Sequence, residues 1–465
     1  MSFFRTVSGR GWPRWVRTDR LGASAPIHNN LGDLGEDERM MRHRKWGVTA
    51  LISAALGALL LGLLMPPAAS AAERSRKVSG WFGYWTDSAD MISIAKNSKR
   101  VLGEVNIFWW HYSGPVNPVC TTTLSCPSPS STPWTSTLLS TAARGLRAQG
   151  VDVYATHTDL NSGLAGSLST YLAKKKNRRA IATRLTDWAV RAGVSGVDLD
   201  WENFAFNDGS QSWATTRPRL TATIRILSAK LHAKGLKLSV TVPGGYSPFL
   251  SDGSPNPGGG YSVYDWAALA PLVDRLRLMT YDYSWNRPGP IGPHAWTRAV
   301  VRSAIAQVGK ENRSKIYVGL HQYGKAWYSR DDADDFITVG ECSDSWRPSG
   351  SDAISLSVAE ARALAADYGV KPRFDRPSRE WTFTYVKTES GRYTNSKGKR
   401  RTAECRVQKE VWFGAKETAA GRMQIVKRRH IGGVAVWQLA GLDTGFFGAV
   451  RPYVKASNAK SKSRR

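Results

Sequence analysis

Three acidic residues at alternate positions, Asp198, Asp200 and Glu202, are the residues of this sequence best suited to chemistry. Successive side chains of a β-strand point to opposite faces, so the three carboxyls share one face if the segment is a strand. Burying three like charges together is costly, and at least one carboxyl should therefore hold a proton. A carboxyl that is protonated near neutral pH is what a general acid requires, and Glu202 is the candidate for that role.

Two other interpretations of this acidic segment are open. An exposed edge strand would also alternate polar and apolar residues, but the intervening Val197, Leu199 and Trp201 are typical of a central strand. Carboxylates also suit calcium or magnesium, and spacing alone does not exclude a metal site. The residues favour catalysis by the carboxyls themselves, without a metal ion or a cofactor, and no Cys and His residues have zinc-site spacing.

The acidic segment lies within a regular alternation of β-rich and helical segments, which predicts a parallel α/β sheet. Eight segments have strand character, and eight strands are the number in a closed (β/α)8 TIM barrel, whose active site lies at the C-terminal ends of the strands. An open doubly wound sheet is the alternative, although no G-x-G-x-x-G turn follows the first strand. The predicted strands cover residues 78–85, 105–110, 151–156, 196–202, 236–242, 275–281, 315–320 and 431–439.

About 110 residues separate the last two predicted strands, far more than an ordinary connection in such a fold. We predict a small α+β insertion over residues 328–413, within a catalytic barrel over residues 78–450. The four cysteines allow three disulfide connectivities. We prefer a pairing of Cys342 with Cys405 inside the insertion, and of Cys120 with Cys126 in a local loop.

The N-terminal region has the pattern of a secretory signal behind an extra leader. An apolar stretch at residues 48–64 follows a basic cluster and precedes the small-residue site Ala69-Ser70-Ala71. We expect residues 41–71 to be a cleaved signal peptide, and residues 1–40 to be a leader wrongly assigned to the coding sequence. A single membrane anchor is the alternative for the apolar stretch. A cleaved signal predicts a secreted protein, extracellular or associated with the cell wall.

The net charge is +28, from 65 basic and 37 acidic side chains, and residues 455–465 form a basic tail that we expect to be disordered. Such an excess favours a polyanionic partner: nucleic acid, an anionic membrane or an anionic cell-wall polymer. Export and a carboxylate-lined mouth, which would repel phosphate, count against nucleic acid. We expect the basic surface to bind an anionic cell-wall polymer, and the protein to be a monomer.

Three segments resemble glycoside hydrolase family 18, the chitinase-like enzymes. The segment SGVDLDWENF resembles the D-G-x-D-x-D-x-E signature, LRLMTYDYSW resembles the M-x-Y-D element, and GGVAVWQL resembles the last strand with its floor tryptophan. The likeness covers roughly residues 78–447. The segment WNRPGPI, which begins at Trp285, and the VWF and GGVAVW blocks look like the bacterial spore-cortex and cell-wall N-acetylglucosaminidase branch. Ser195 replaces the first Asp of the signature, and the third strand lacks the S-x-G-G of chitinases.

The resemblance implies a retaining mechanism in which the substrate's own acetamido oxygen attacks the anomeric carbon. Glu202 would protonate the glycosidic oxygen, Asp200 would orient the acetamido group, and Asp198 would share a proton or a hydrogen bond with Asp200. Tyr281 would donate to the acetamido carbonyl. The resemblance also implies that Asp282, Met279 and Trp437 bind the substrate. Tyr84, near the end of the first strand, is a further candidate for substrate binding.

Two classes of function follow from these residues. The first is a secreted glycosidase that cleaves β-1,4-linked N-acetylglucosamine polymers, with peptidoglycan glycan and chitin both open as substrates. The second is a non-catalytic, lectin-like barrel that binds such polymers. Lectins of this type lose the terminal Glu of the signature, so the presence of Glu202 with Asp200 favours the enzyme.

Overall fold

The computed structural model describes residues 77–121, 137–245 and 260–454, together with Ser254 and Asn256. The expected leader, signal peptide and basic tail lie outside these residues, as does Cys126. Among the helices of the described part, none is both long and apolar enough to cross a bilayer.

The described residues form fifteen strands, named here in chain order. These strands are β1 (Lys77–Gly83), β2 (Leu102–His111), β3 (Cys120–Thr121), β4 (Asp152–Thr158), β5 (Gly196–Asp200), β6 (Lys237–Pro243), β7 (Arg275–Met279), β8 (Ile316–His321), β9 (Tyr323–Tyr328), β10 (Arg347–Pro348), β11 (Ala353–Ser357), β12 (Arg373–Asp375), β13 (Glu380–Thr394), β14 (Arg400–Phe413) and β15 (Gly433–Trp437).

The α-helices of the described residues are named in the same way. These helices are α1 (Ser88–Asn97), α2 (Thr137–Ala148), α3 (Ser167–Leu172), α4 (Lys175–Ala192), α5 (Asn203–Phe206), α6 (Trp213–His232), α7 (Trp266–Leu269), α8 (His294–Val308), α9 (Val358–Asp367), α10 (Lys416–Arg429) and α11 (Phe446–Val454).

Eight parallel strands close into a barrel, which confirms the predicted (β/α)8 fold. The strands follow the order β1, β2, β4, β5, β6, β7, β8 and β15, and β1 pairs with both β2 and β15, so the sheet has no free edge there. The outward residues of each strand pack under the helices: Val197 and Leu199 of β5 are buried in one core with Ile181 and Leu185 of α4. The inward residues of β5 are therefore Asp198 and Asp200.

A second, antiparallel sheet of six strands lies in the chain between β8 and β15. Its order is β10, β13, β14, β9, β11, with β12 paired to β13. It begins with β9 at Tyr323, a few residues before the predicted start at 328, because only Gln322 separates β8 from β9. Helix α9 covers this sheet, and its N-terminus is capped by reciprocal hydrogen bonds of Ser357 and Glu360.

The predicted disulfide between Cys342 and Cys405 is present, with 5.9 Å between the two Cα atoms. It belongs to a small apolar cluster of the second sheet that contains the buried Trp346, whose Nε1–H donates to the carbonyl oxygen of Ala403 at 3.0 Å. Cys120 is also disulfide-bonded. The bond between Cys342 and Cys405 joins residues 63 apart in sequence and ties the segment before β10 to β14.

Replacing both Cys342 and Cys405 by Ser should destabilise the insertion by about 2–4 kcal/mol, because a cross-link across a long loop restricts the unfolded chain. Urea unfolding followed by circular dichroism measures the change. The midpoint of the unfolding transition should move to a lower urea concentration. An unfolding curve identical to that of the unmodified protein would contradict this contribution.

Candidate active site

The chain leaves β5 directly after Asp200, so the strand ends two residues earlier than predicted. Glu202 has φ −101° and ψ −19°, and it precedes the short helix α5. A carboxylate from the neighbouring strand stabilises this turn: Asp159 Oδ1, just past β4, accepts the backbone N–H groups of Glu202 at 2.6 Å and Asn203 at 3.1 Å. The position of the Glu202 side chain therefore depends on a turn rather than on strand alternation.

Asp198 is fully buried and accepts hydrogen bonds from four different strands. Its Oδ2 atom accepts from Trp81 Nε1 and Thr156 Oγ1, each at 3.1 Å. Its Oδ1 atom accepts from Thr241 Oγ1 and from a guanidinium N–H of Arg277, again at 3.1 Å. These strands are β1, β4, β6 and β7, so the carboxyl lies inside the barrel and is held by strands on both sides of β5.

Asp200 has the opposite surroundings. It is buried, and its Oδ1 atom makes no hydrogen bond with any of the described residues. Burial raises the pKa of Asp200 well above its ordinary value, and the neighbouring carboxyls of Glu202, Asp198 and Asp159 raise it further. Asp200 therefore holds its proton to a higher pH than an exposed aspartate does.

Glu202 is also protonated at neutral pH. Burial raises the pKa of Glu202 to about 8, and the negative charges of Asp159 and Asp282 contribute in the same direction. Burial raises the pKa of Asp159 itself to about 7, against the two backbone N–H groups that lower it. The mouth of the barrel therefore holds a carboxylic acid that can donate a proton.

Tyr281 and Asp282 follow β7 and lie beside these carboxyls. Burial raises the pKa of Tyr281 well above its ordinary value, and Asp200 and Glu202 add to the effect. Tyr281 therefore remains a phenol that can donate a hydrogen bond. Asp282 Oδ1 accepts from the hydroxyl of Tyr323 at 2.6 Å and from Lys325 Nζ at 2.8 Å, so the insertion strand β9 positions it.

The insertion also positions the segment that follows Asp282. The buried Glu380, the first residue of β13, accepts the backbone N–H groups of Ile291 and Gly292, each at 2.8 Å. Trp327 Nε1 of β9 donates to the carbonyl oxygen of Trp285 at 3.2 Å. This segment, residues 283–292, is thus held against the second sheet, which makes the insertion part of the wall beside the site.

The remaining predicted binding residues divide into two groups. Met279 ends β7 on the same inward face as Arg277. Trp437 ends β15, and its ring lies 6.2 Å from that of Trp81, whose indole N–H binds Asp198. Tyr84 lies apart: it packs against Trp85 and lines a cavity with Met91, Ile107 and Leu139, which belong to the helix-covered side of the barrel.

Sequence reasoning missed three residues of this site: Asp159, Arg277 and Glu104. Asp159 directly follows a barrel strand, and a polar residue at that place is a signal that could have identified it. Arg277 and Glu104 gave no such signal, because they are 173 residues apart in sequence and meet only inside the closed barrel. Within the described residues, no group of three or more His, Cys, Asp or Glu side chains is arranged to hold a metal ion.

The sequence model of "Glycosyl hydrolases family 18" matches residues 161–442, which includes β5, β7, β15 and most of the site. This chain belongs to that family. The match begins just after Asp159 and spans the second sheet.

Curated relatives and solved structures agree with this assignment. The chain is 22% identical over 289 residues to the uncharacterized glycosylase YvbX of Bacillus subtilis, covering 62% of this chain and 69% of the relative. It is 25% identical over 259 residues to the cortical fragment-lytic enzyme of Bacillus anthracis, covering 55% of this chain and 49% of that enzyme. The chain thus spans about half the length of that cortical enzyme.

Two solved structures have the same fold. The spore cortex-lytic enzyme SleL of Bacillus cereus superposes with a TM-score of 0.59 at 18% identity, over 82% of this chain and 74% of SleL. A chitinase of Chromobacterium violaceum superposes with a TM-score of 0.58 at 20% identity, over 82% of this chain and 99% of the chitinase.

The raised pKa of Glu202 should make stability depend on pH. Because the folded pKa of about 8 exceeds the ordinary 4.5, the favourable contribution of this carboxyl is complete below pH 4.5 and disappears as the pH rises through 8. Glu202→Gln cannot ionise, so it should gain on the order of 2 kcal/mol over the unmodified protein between mildly acidic pH and pH 9. Urea unfolding at a series of pH values measures this difference.

Glu341→Gln is the matched control, because Glu341 is an exposed glutamate of the insertion. It should parallel the unmodified protein at every pH. A stability difference between Glu202→Gln and the unmodified protein that stays constant across this pH range would show that Glu202 ionises as an ordinary surface carboxyl.

Proposed function

We propose that this protein is a secreted, monomeric glycosidase that cleaves β-1,4-linked N-acetylglucosamine polymers by substrate-assisted, retaining hydrolysis. The observation that carries the proposal is the position of Glu202 in the turn after β5, beside the buried Asp198 and Asp200, where burial raises its pKa to about 8 and so favours the acid form. A binding barrel has no need of an acid in this state, whereas cleavage of a glycosidic bond requires one. This contrast disfavours the lectin-like alternative.

Each step of the proposed reaction falls to a residue of the site. Glu202 gives its proton to the glycosidic oxygen while the acetamido oxygen of the substrate attacks the anomeric carbon. Tyr281, held as a phenol by its raised pKa, donates to the acetamido carbonyl, and Asp200 contacts the acetamido nitrogen. The Glu202 carboxylate then takes a proton from water, which opens the oxazolinium ring with overall retention. Trp437 and Trp81 provide an apolar floor beneath the reacting sugar.

We favour the glycan of peptidoglycan over chitin as the substrate. Two features support this preference: the relatives named above include cortical fragment-lytic enzymes, and the chain carries a net charge of +28. Peptidoglycan bears carboxylates on its peptides and is accompanied in many walls by anionic polymers, whereas chitin is neutral. Attraction between opposite charges raises the rate at which a basic protein meets an anionic substrate.

Glu202→Gln should lower kcat by at least ~10²-fold, because the amide keeps the shape of the side chain but cannot donate a proton to the leaving group. Binding of N-acetylglucosamine oligomers should be retained. The experiment digests purified muropeptide glycan and chitin oligomers in parallel, and product ends are analysed by mass spectrometry. Turnover close to that of the unmodified protein would exclude Glu202 as the acid.

Two controls separate the proposed route from other hydrolytic mechanisms. Substrates without the N-acetyl group should resist cleavage, since they lack the nucleophile, and products should keep the β-configuration. An inverted product or a covalent ester between sugar and carboxyl would contradict substrate assistance. Binding of both polymers without any cleavage by the unmodified protein would instead favour the lectin-like alternative.

The described residues also suggest where an anionic wall polymer would bind. The long hairpin of β13 and β14 ends in a tight turn, in which Asn395 Oδ1 accepts the backbone N–H groups of Lys397 and Lys399. Beyond the turn, Arg400 and Arg401 pair with Thr394 and Tyr393. None of the basic side chains at this tip forms an ion pair with another described residue, and all are exposed; they are Arg392, Lys397, Lys399, Arg400 and Arg401.

Replacing the basic residues at positions 397, 399, 400 and 401 by Gln should weaken binding to intact walls several-fold while leaving the hydrolysis of short neutral oligosaccharides unchanged. Wall binding of the unmodified protein should fall steeply between ~0.1 M and ~1 M salt, because the screening length shrinks from ~10 Å to ~3 Å. Sedimentation of the protein with purified walls measures the bound fraction.

The matched control replaces Lys174, Lys175, Lys176 and Arg179 by Gln, which removes the same charge from the start of α4. An equal loss of binding in both variants would assign the attraction to net charge rather than to the hairpin tip. Binding that does not respond to salt would rule out an electrostatic anchor altogether.

A further inference from the structure

Arg277 is a fully buried arginine in the interior of the barrel, directly below the carboxyls. Its guanidinium donates to Asp198 Oδ1 at 3.1 Å and to Glu104 Oε2 at 3.2 Å. It also donates to the hydroxyls of Ser79, at 3.2 Å, and Ser239. A guanidinium stays charged inside proteins, so Arg277 places a permanent positive charge against Asp198.

The hydrogen bonds of Asp198 leave little room for a proton. Each of its oxygens faces one group that can only donate, the indole N–H of Trp81 on Oδ2 and the guanidinium of Arg277 on Oδ1. The hydroxyls of Thr156 and Thr241 take up further acceptor positions, one on each oxygen. A carboxylate satisfies all four donors at once. A protonated carboxyl would need the hydroxyl of Thr156 or Thr241 to turn and accept, and it would lose the attraction of its negative charge to the Arg277 guanidinium.

Asp200 has no comparable partner. Its Oδ1 atom makes no hydrogen bond with the described residues, and the charged groups that act on it are the carboxyls of Glu202, Asp198 and Asp159. All three would raise its affinity for a proton. The two aspartates on one strand face therefore have opposite surroundings. Asp198 is surrounded by hydrogen-bond donors and a cation, whereas Asp200 is surrounded by other acidic groups.

We propose that Arg277 is a positioning residue that keeps Asp198 permanently ionised, so that the proton available to the Asp198–Asp200 pair stays on Asp200. This assignment replaces the expectation that the two aspartates share the proton. It makes Asp198 a fixed negative charge beneath the reacting sugar, on the side from which the positively charged oxazolinium would be stabilised. The kinetic consequences rest on the proposed function, but the location of the proton does not.

Glu104 and its neighbours maintain this arrangement. Although burial alone would raise the pKa of Glu104, the charges of Arg275, Arg277 and Lys77 keep it below its ordinary value. Arg275 and Lys77 approach Glu104 to 2.8 Å and 3.4 Å. Glu104 is therefore ionised, and its negative charge balances the positive charge of Arg277. Arg275 pairs with Glu104 but is not one of the donors to Asp198.

The location of the proton can be measured without substrate. Infrared difference spectra at mildly acidic pH, with ¹³C-labelled aspartate to separate Asp from Glu, report the C=O stretch of protonated Asp side chains. The band lost in Asp200→Asn should be retained in Asp198→Asn. Loss of that band in Asp198→Asn, with Asp200 ionised, would overturn the proposal even if no hydrolysis is ever detected.

The role of Arg277 is tested with the charge-balanced pair Arg277→Met/Glu104→Gln. Without the guanidinium, Asp198 should take up a proton at higher pH. The acidic limit of kcat/KM, which is the pH below which kcat/KM falls, should therefore move up by ~1–3 pH units, the usual effect of an adjacent arginine. kcat should fall by more than ~10-fold with little change in KM. Arg277→Lys, which keeps the charge, should restore the acidic limit.

Arg275→Met is the matched control, because it removes an arginine from the same cluster but leaves every donor of Asp198 in place. Its acidic limit should stay where it is in the unmodified protein. A charge-balanced variant that folds and keeps the original limit would show that Arg277 only fills space. If that variant does not fold, infrared spectra of the unmodified protein and of Arg277→Lys still test the proposal. A C=O band from protonated Asp198 in either protein would contradict it.

Discussion

Repulsion between buried carboxyls is the interaction on which the rest of this site depends. Asp198, Asp200 and Glu202 lie within a few residues of each other, and Asp159 and Asp282 add two more acidic groups just past the ends of β4 and β7. Such a cluster is stable only if some carboxyls are neutral and the others are paired. The structure achieves both: Arg277 pairs with Asp198, Lys325 pairs with Asp282, and burial keeps Asp200 and Glu202 protonated.

The protonated state of Glu202 is thus a consequence of the surroundings rather than of the residue itself. The turn that Asp159 stabilises holds Glu202 in the barrel mouth, and the same carboxyl contributes to its raised pKa. One side chain therefore holds the candidate acid in position and also adds to the increase in its pKa, most of which comes from burial. This link between backbone support and electrostatics is available because β4 and β5 are adjacent and end at the same side of the barrel.

The second sheet is bound to the site by specific polar contacts rather than attached as a separate module. Its strands supply Tyr323 and Lys325 to Asp282, and Glu380 to the backbone of the segment that follows. Asp282 has φ +56°, an uncommon conformation for a residue with a side chain, and these contacts hold it there. These polar contacts fix the position of the second sheet relative to the loops at the mouth of the barrel.

The sequence by itself determined the architecture and the acidic face. Alternation of strands and helices, the unusually long connection before the last strand and the i, i+2 spacing of Asp198 and Asp200 are local patterns, and local patterns report local structure. The pairing of Cys342 with Cys405 could also be predicted from the sequence, because both cysteines lie in the same inserted segment. Only the tertiary structure decided the place of Tyr84, the turn at Glu202, and the meeting of Arg277 with Asp198 and Glu104. These features depend on which strands become neighbours when the barrel closes and on how completely the closed interior excludes water. The spacing of residues along one segment predicts neither of these.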